Sequence, residues 1–121
     1  MKIAEVAKRN DITPDTLRYY ERIGLLPHVP RTKAGVREYG EAECEQIQFV
    51  KCMRAAGVSI EALLEYLPLL AGGDATLEAR RAILVRQREL TRARMADMQA
   101  GLDRLDYKIE HYDELIAKAK L

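Results

Sequence analysis

The chain has 121 residues and a formal net charge of +1, with 48% hydrophobic and 32% charged residues. These values predict one compact domain, or one small domain with an appendage, and exclude a disordered chain. No apolar run approaches the ~18 residues that a membrane span needs, and Glu5 interrupts the stretch where a secretory signal would be apolar. Two cysteines without such a signal predict reduced thiols in the cytoplasm rather than a disulfide framework.

Basic residues are concentrated near the start of the chain. Residues 1–40 contain eight Lys or Arg against five Asp or Glu. The field that a partner meets depends on such local concentrations rather than on the sum over the whole chain. A net charge near zero therefore does not exclude a nucleic-acid partner.

Two short helices joined by a tight turn are predicted first. The first helix covers residues 3–9. Thr13 followed by Pro14 predicts the start of the second, because the hydroxyl can cap the helix and proline suits the first helical position. Gly24 provides a left-handed end. Two helices separated by about three residues are typical of a helix-turn-helix, whose second helix can enter the major groove of DNA.

The next elements are a basic loop and a second pair of helices. Two prolines and Gly35 interrupt any helix in residues 25–39, which predict a short β-hairpin, or wing, with Gly35 in the turn. A third helix is predicted over residues 41–56 and is ended by Gly57. Ser59 is the predicted N-cap of a fourth helix.

A long helix is predicted after a break at Gly72-Gly73-Asp74. Residues 75–118 contain no proline and a single glycine, and a helix of that length extends roughly 65 Å. The predicted division is residues 1–71 as the N-terminal domain, residues 72–74 as a linker and residues 75–121 as a dimerisation helix.

From residue 95 onward, the apolar positions of this helix alternate in steps of three and four, the heptad pattern of a left-handed coiled coil. The predicted seam consists of Met95, Met98, Leu102, Leu105, Ile109, Tyr112 and Ile116. A second copy in a two-fold dimer is the simplest partner for this seam; the alternative is packing on the chain's own N-terminal domain. The same register places Arg81 and Arg88 on the seam, so the first half of the helix is predicted to be splayed or packed on another element.

The second helix carries side chains suited to DNA. Arg18 can donate a rigid fork to phosphate or guanine. Tyr19 and Tyr20 offer hydroxyls to phosphate and flat rings to sugar, while Leu17 faces inward. The alternative is an ordinary surface helix with one buried tyrosine.

Residues 3–7, 13–26, 35–39 and 49–60 closely resemble the DNA-binding domain of MerR-family transcription regulators. The resemblance extends into the coiled coil and so covers nearly the whole chain. It implies a mainly α-helical fold: a winged helix-turn-helix domain, a second helix pair and a long antiparallel coiled-coil dimerisation helix. It also implies a homodimer on a palindromic promoter, which bends and untwists the DNA so that RNA polymerase can engage both promoter elements.

The resemblance assigns DNA contacts to the second helix and to the wing. The implied contacts are Thr13, Thr16, Arg18, Tyr19 and Tyr20 on the helix, and Arg31, Lys33, Gly35, Arg37 and Tyr39 on the wing. Arg18 and Arg37 are the strongest candidates. Two positions depart from the family pattern, because some members carry a basic residue at the position of Asp15 and many carry an aromatic one at that of Val36.

The signal is predicted from the cysteines. Metal sensors of the family carry a cysteine-bearing loop beyond the long helix, whereas residues 113–121 contain neither Cys nor His. The cysteine cluster of the iron–sulfur branch and the large domain of the multidrug branch are also missing, so no metal and no cofactor are predicted. Cys52, in the segment Lys51-Cys52-Met53-Arg54, resembles the single thiol of the branch that responds to aldehydes, quinones or nitrosative stress.

Two cysteines compete for this sensor role. Cys52 has Lys51 and Arg54 close by on a helix, and neighbouring cations favour a reactive thiolate. Cys44 lies in the first turn of the same helix, which also favours a thiolate, but the glutamates on either side oppose ionisation. Either thiol could instead be a small buried side chain. A bridge between them is excluded while the helix persists, because eight residues rise about 12 Å against a limit near 7 Å.

No nucleophile–base pair, phosphate-binding loop or pair of carboxylates indicates an enzyme. Two alternatives to a thiol-responsive regulator stay open. One is a MerR-type regulator that answers to a metal, to a small molecule or to no ligand. The other is a coiled-coil adaptor whose N-terminal domain binds protein, which predicts no salt-dependent affinity for DNA.

Overall fold

A computed structural model describes residues 1–26 and 28–121; Pro27, one of the two prolines predicted to interrupt the helix, lies outside the described residues. The described chain is mostly α-helical, and its only β pairing is an isolated bridge between Arg31 and Arg37. The helices are α1 (Ile3–Arg9), α2 (Pro14–Ile23), α3 (Glu41–Ala55), α4 (Ile60–Leu69) and α5 (Leu77–Ala119), with a 3-10 helix over Leu70–Thr76 between the last two. The predicted mainly α-helical fold is confirmed.

Local chemistry sets the ends of α2, as the sequence predicts. The Thr13 hydroxyl accepts a hydrogen bond from the backbone N–H of Thr16 at 3.1 Å, and Pro14 occupies the first helical position. Gly24 ends the helix in the left-handed region, with φ of 92°, where a residue without Cβ is favoured. The turn between α1 and α2 contains Asp11 at φ 51°, one of the few side chains that tolerate this conformation.

Two apolar clusters form the core. The first joins α1 and α2 to the wing and the start of α3, and the second joins α3 to α4. The buried members of the first are Val6, Ala7, Leu17, Leu26, Val29, Tyr39, Cys44 and Ile47, and those of the second are Leu25, Val50, Val58, Ala62 and Leu63. These contacts fix α2 and the wing on a shared support.

The first part of α5 packs on the second cluster. Ile83 contacts the cluster, and the side-chain oxygen of buried Gln87 accepts a hydrogen bond from the backbone N–H of Ser59 at 3.2 Å. This packing agrees with the register, which places arginines rather than apolar residues on the seam in this half of the helix.

The chain forms two compact units, Met1–Gln87 and Arg88–Leu121. The start of α5 therefore belongs with the N-terminal helices. The division predicted at residues 72–74 falls within the 3-10 helix and stays a prediction. No described helix combines the length and apolarity that crossing a membrane requires.

The predicted seam lies in the second unit and is exposed in the single chain. Its side chains are between 49% and 77% exposed: Met95, Met98, Leu102, Leu105, Ile109, Tyr112 and Ile116. A continuous apolar stripe of this kind is a feature of interaction surfaces.

Candidate nucleic-acid interface

Helix α2 has one buried face and one exposed face. Leu17 is fully buried in the core, whereas Arg18 and Tyr19 face solvent and Tyr20 is half-buried. The guanidinium of Arg22 lies 5.3 Å from the centre of the Tyr19 ring, a cation–π distance. The exposed face thus presents guanidinium and phenol groups side by side.

The two threonines at the start of α2 are already engaged with each other. Besides capping the helix, the Thr13 hydroxyl oxygen lies 2.7 Å from that of Thr16, in hydrogen-bond contact. Their contact with DNA stays a prediction, but the structure gives Thr13 a role in starting the helix.

The wing is a tight turn rather than a hairpin with extended strands. Gly35 has φ of 81°, and its N–H donates to the carbonyl of Thr32 at 2.9 Å, while the Thr32 N–H donates to the carbonyl of Val36 at 2.8 Å. Arg31 Nη1 also donates to the carbonyl of Gly35 at 3.0 Å. Lys33 is exposed at the tip. The predicted turn at Gly35 is present, and its β pairing is reduced to one bridge.

Glu21, which was not among the predicted site residues, joins α2 to the wing. Its Oε1 accepts a hydrogen bond from Arg37 Nε at 3.0 Å and lies 3.7 Å from Arg31 Nη2. Its Oε2 accepts from the backbone N–H of Val29 at 3.3 Å. The sequence held a signal for this inward position, because Glu21 follows buried Leu17 by four residues and so lies on the same face of the helix.

Tyr39, which was predicted to contact DNA, is only 1% exposed, and its contact with DNA stays a prediction. Its ring belongs to the core, and its hydroxyl has no hydrogen-bond partner among the described residues. Burial raises the pKa of Tyr39. The positive charge of Arg37 opposes this pKa shift, the negative charge of Glu21 adds to it, and Arg18 and Arg31 oppose it more weakly. Geometry links the arginines of α2 and the wing: Arg18 lies on α2 three residues before Glu21, and Glu21 pairs with Arg31 and Arg37 of the wing. We call Arg18, Arg31 and Arg37 the basic cluster.

Two acids lie at the margins of this cluster. Arg18 Nη1 donates to Asp15 Oδ1 at 2.9 Å, and the Asp15 side chain is almost fully exposed. At the base of the wing, Glu38 accepts a hydrogen bond from Lys2 Nζ at 2.8 Å. Hydrogen bonds from Lys2 and from the N-terminal amino group lower the pKa of Glu38 below its ordinary value. Both carboxylates are paired with a cation of the basic region.

The structure separates the two cysteines by exposure. Cys44 is buried against α1 in the first core cluster, whereas Cys52 is exposed on α3. Within residues 1–26 and 28–121, no group of three or more His, Cys, Asp or Glu side chains could hold a metal ion.

The cations expected to activate Cys52 have other partners. Lys51 Nζ donates to the carbonyl of Asn10 at 2.6 Å, and Arg54 Nη1 donates to the carbonyl of Val58 at 2.8 Å. Both head groups therefore bind backbone oxygens. Accessibility, rather than an adjacent cation, is the structural feature that favours Cys52.

Comparisons with known proteins match the chain to helix-turn-helix and DNA-binding families, in agreement with the arrangement of α1, α2 and the wing. Residues 1–70 match the family model described as MerR HTH family regulatory protein, and residues 44–108 match the model described as MerR, DNA binding. The HTH-type transcriptional regulator AdhR of Bacillus subtilis is 54% identical over 89 residues, which cover 74% of this chain and 64% of AdhR. The matched part thus spans less than two thirds of that relative.

Two solved structures are similar over most of the chain. A MerR family transcriptional regulator from Listeria monocytogenes is 45% identical with a TM-score of 0.87, covering 99% of this chain and 91% of the other. HiNmlR, a MerR family regulator lacking the sensor domain and bound to promoter DNA, is 27% identical with a TM-score of 0.77, covering 93% and 86% of the two chains.

Proposed function

Because this chain belongs to the MerR family of helix-turn-helix transcriptional regulators, we propose that it binds a palindromic promoter as a homodimer and distorts the DNA for RNA polymerase. The family and the relatives are transcriptional regulators, not enzymes. The observation that carries the proposal is the basic cluster: Arg18 lies on α2, and Glu21 of the same helix pairs with Arg31 and Arg37 of the wing. Guanidinium groups suit the phosphates of a duplex, because they donate parallel N–H bonds and carry a positive charge. The solved structure of HiNmlR on promoter DNA supports the same partner here.

The test is selection of DNA by the purified protein. Fragments retained from a random duplex pool are sequenced, and their affinity is measured between 50 and 200 mM salt. We expect an inverted repeat and, for six phosphate contacts per dimer, a slope of log affinity against log salt of roughly −5. Affinity that does not change with salt would favour the protein-binding adaptor instead.

Asp15 is proposed to weaken this binding. Its carboxylate is exposed on α2 and is hydrogen-bonded to Arg18, so it repels phosphate and competes for the guanidinium. Asp15→Asn is expected to raise operator affinity by about three- to tenfold, the size of one modest charge interaction in each of two subunits. Fluorescence anisotropy on the selected duplex measures the change.

The matched control for this prediction is Asp106→Asn, which removes the same charge from an exposed position of the second unit. Operator affinity of the Asp106 variant should equal that of the unmodified protein. Equal or weaker binding by Asp15→Asn would contradict the proposed repulsion.

We further propose that the regulator responds to electrophiles through Cys52. The support is its exposure on α3 and the resemblance to the thiol-based branch. Addition to an aldehyde forms an Sγ–C bond; the carbonyl electron pair moves to oxygen, which takes the thiol proton and gives a hemithioacetal. No oxidant is required. The adduct would enlarge a side chain on the helix that links the DNA-binding part to α4 and α5, and so shift the distortion of the promoter.

Cys52→Ser is expected to abolish the change in transcription that formaldehyde or S-nitrosoglutathione causes from the selected promoter. Serine keeps the size of the side chain but is a far weaker nucleophile toward both reagents. Transcription in vitro with and without each reagent measures the response. Cys44→Ser, at the buried cysteine, is the control and should still respond once its folding is verified by its melting temperature. A full response from the Cys52 variant would refute this sensor.

A further inference from the structure

We propose that Glu21 is a positioning residue that orients the wing arginines and thereby sets how strongly the protein prefers its operator over other DNA. The proposal rests on the DNA-binding function proposed above. It concerns a carboxylate whose side chain is only 11% exposed.

One carboxylate fixes three parts of the interface. Glu21 Oε1 accepts from Arg37 Nε at 3.0 Å and lies 3.7 Å from Arg31 Nη2. Its Oε2 accepts from the backbone N–H of Val29, at the entry to the wing, at 3.3 Å. Arg31 and Arg37 are also the two residues of the β bridge. The carboxylate therefore holds the base of the wing and both of its bridging arginines to α2.

The contact through Nε decides which way Arg37 points. A guanidinium is planar, so holding Nε fixes the direction of the two terminal nitrogens. Within the described part of the chain, the hydrogen bond of Arg37 is made by Nε, and the two terminal nitrogens donate to no acceptor. They are available to a phosphate, which takes two parallel N–H donors well.

Burial makes this pair different from the other acid–base pairs near the wing. The Glu21 side chain is 11% exposed and that of Arg37 is 26% exposed, so water and salt screen their attraction weakly. The pair of Lys2 and Glu38 is about half exposed on each side, and exposed pairs of this kind contribute little. Glu38 is thus a natural control, with the same charge at the same wing but without the burial.

Loss of Glu21 has two opposite effects. Removing a negative charge beside phosphates raises affinity for any DNA, because non-specific binding depends on charge. Releasing the wing lowers affinity for the operator. Specific binding requires the protein to lie in the correct register on the duplex, and well-positioned phosphate contacts fix that register. A role in general folding would instead lower both affinities together.

The experiment measures affinity for the selected operator and for a scrambled duplex, over a range of salt, with the full-length protein. For Glu21→Ala we expect non-specific affinity to stay level or rise, and the operator preference to fall at least tenfold. Glu21→Gln keeps the acceptor oxygen without its charge and should regain part of the preference. Glu38→Gln should leave the preference unchanged.

The outcomes separate the inference from the function on which it rests. If the unmodified protein shows no operator preference and no salt dependence, the proposed DNA-binding function fails. If it has both and Glu21→Ala retains its preference, or if operator and scrambled DNA lose affinity equally, the positioning role is overturned.

Melting temperatures are measured for every variant. Should Glu21→Ala prove unfolded, Glu21→Gln decides, and a preference equal to that of the unmodified protein overturns the proposal.

Discussion

The double substitution Leu102→Asp and Leu105→Asp is expected to turn the proposed homodimer into a monomer that no longer binds its operator. Both leucines belong to the exposed seam of the second unit. Burial of a leucine contributes about 1.5–3 kcal/mol, and a two-fold dimer would bury four. Loss of even ~6 kcal/mol weakens dimerisation by more than 10⁴-fold, and burying the charged aspartates in the seam costs further free energy. Analytical ultracentrifugation gives the mass of each species.

A matched variant distinguishes the seam from the rest of the helix surface. Ala100 and Tyr107 are exposed and each lies two residues from a seam leucine, on roughly the opposite side of the helix. Ala100→Asp with Tyr107→Asp adds the same two charges and should stay dimeric. A dimeric Leu102/Leu105 variant, or equal dissociation of both, would show that the heptad stripe is not the dimer interface.

Replacing both Arg18 and Arg37 with alanine is expected to lower operator affinity by at least about a thousandfold. A dimer would lose four guanidinium–phosphate contacts, and four contacts at ~1 kcal/mol or more each correspond to roughly three orders of magnitude. Each lost contact also releases one counterion fewer, so the salt slope should become shallower by about four. Anisotropy titrations at several salt concentrations give both values.

The control for this prediction removes two cations from elsewhere. Arg104→Ala with Lys108→Ala lowers the net charge by the same two units as the Arg18/Arg37 variant. The two residues are exposed in the second unit. Its salt slope should match that of the unmodified protein. If the Arg18/Arg37 variant keeps the full slope, the basic cluster of α2 and the wing is not where phosphate binds.

Features that depend on neighbouring residues along the chain were predictable. The Thr13 cap, the proline after it and the left-handed glycine at residue 24 use bonds and dihedral angles within one turn of the helix. The heptad pattern depends only on spacing, and residues 77–119 form the long helix nearly as predicted. The family resemblance rested on motifs of this local kind.

Contacts between distant segments were not predictable in the same way. Tyr39 was assigned to DNA from its motif, but the packing of α1, α2 and α3 around it places its ring in the core. Lys51 and Arg54 flank Cys52 in sequence, yet each binds a backbone carbonyl instead. Spacing along a helix gives the face on which a side chain lies, and not the partner that it meets there.

The amino-acid sequence was sufficient to predict the helix-turn-helix and the coiled-coil stripe, because caps, breaks and periodicity are short-range properties of the chain. Its resemblance to the MerR family supplied the expectation of a transcription regulator. The folded arrangement was needed to find Glu21 between helix and wing and to distinguish exposed Cys52 from buried Cys44. Burial and charge pairing depend on atoms that folding brings together from remote positions. The concentration of basic residues near the start of the chain is visible in the sequence, whereas the pairing of Arg31 and Arg37 with Glu21 of α2 is decided by the fold.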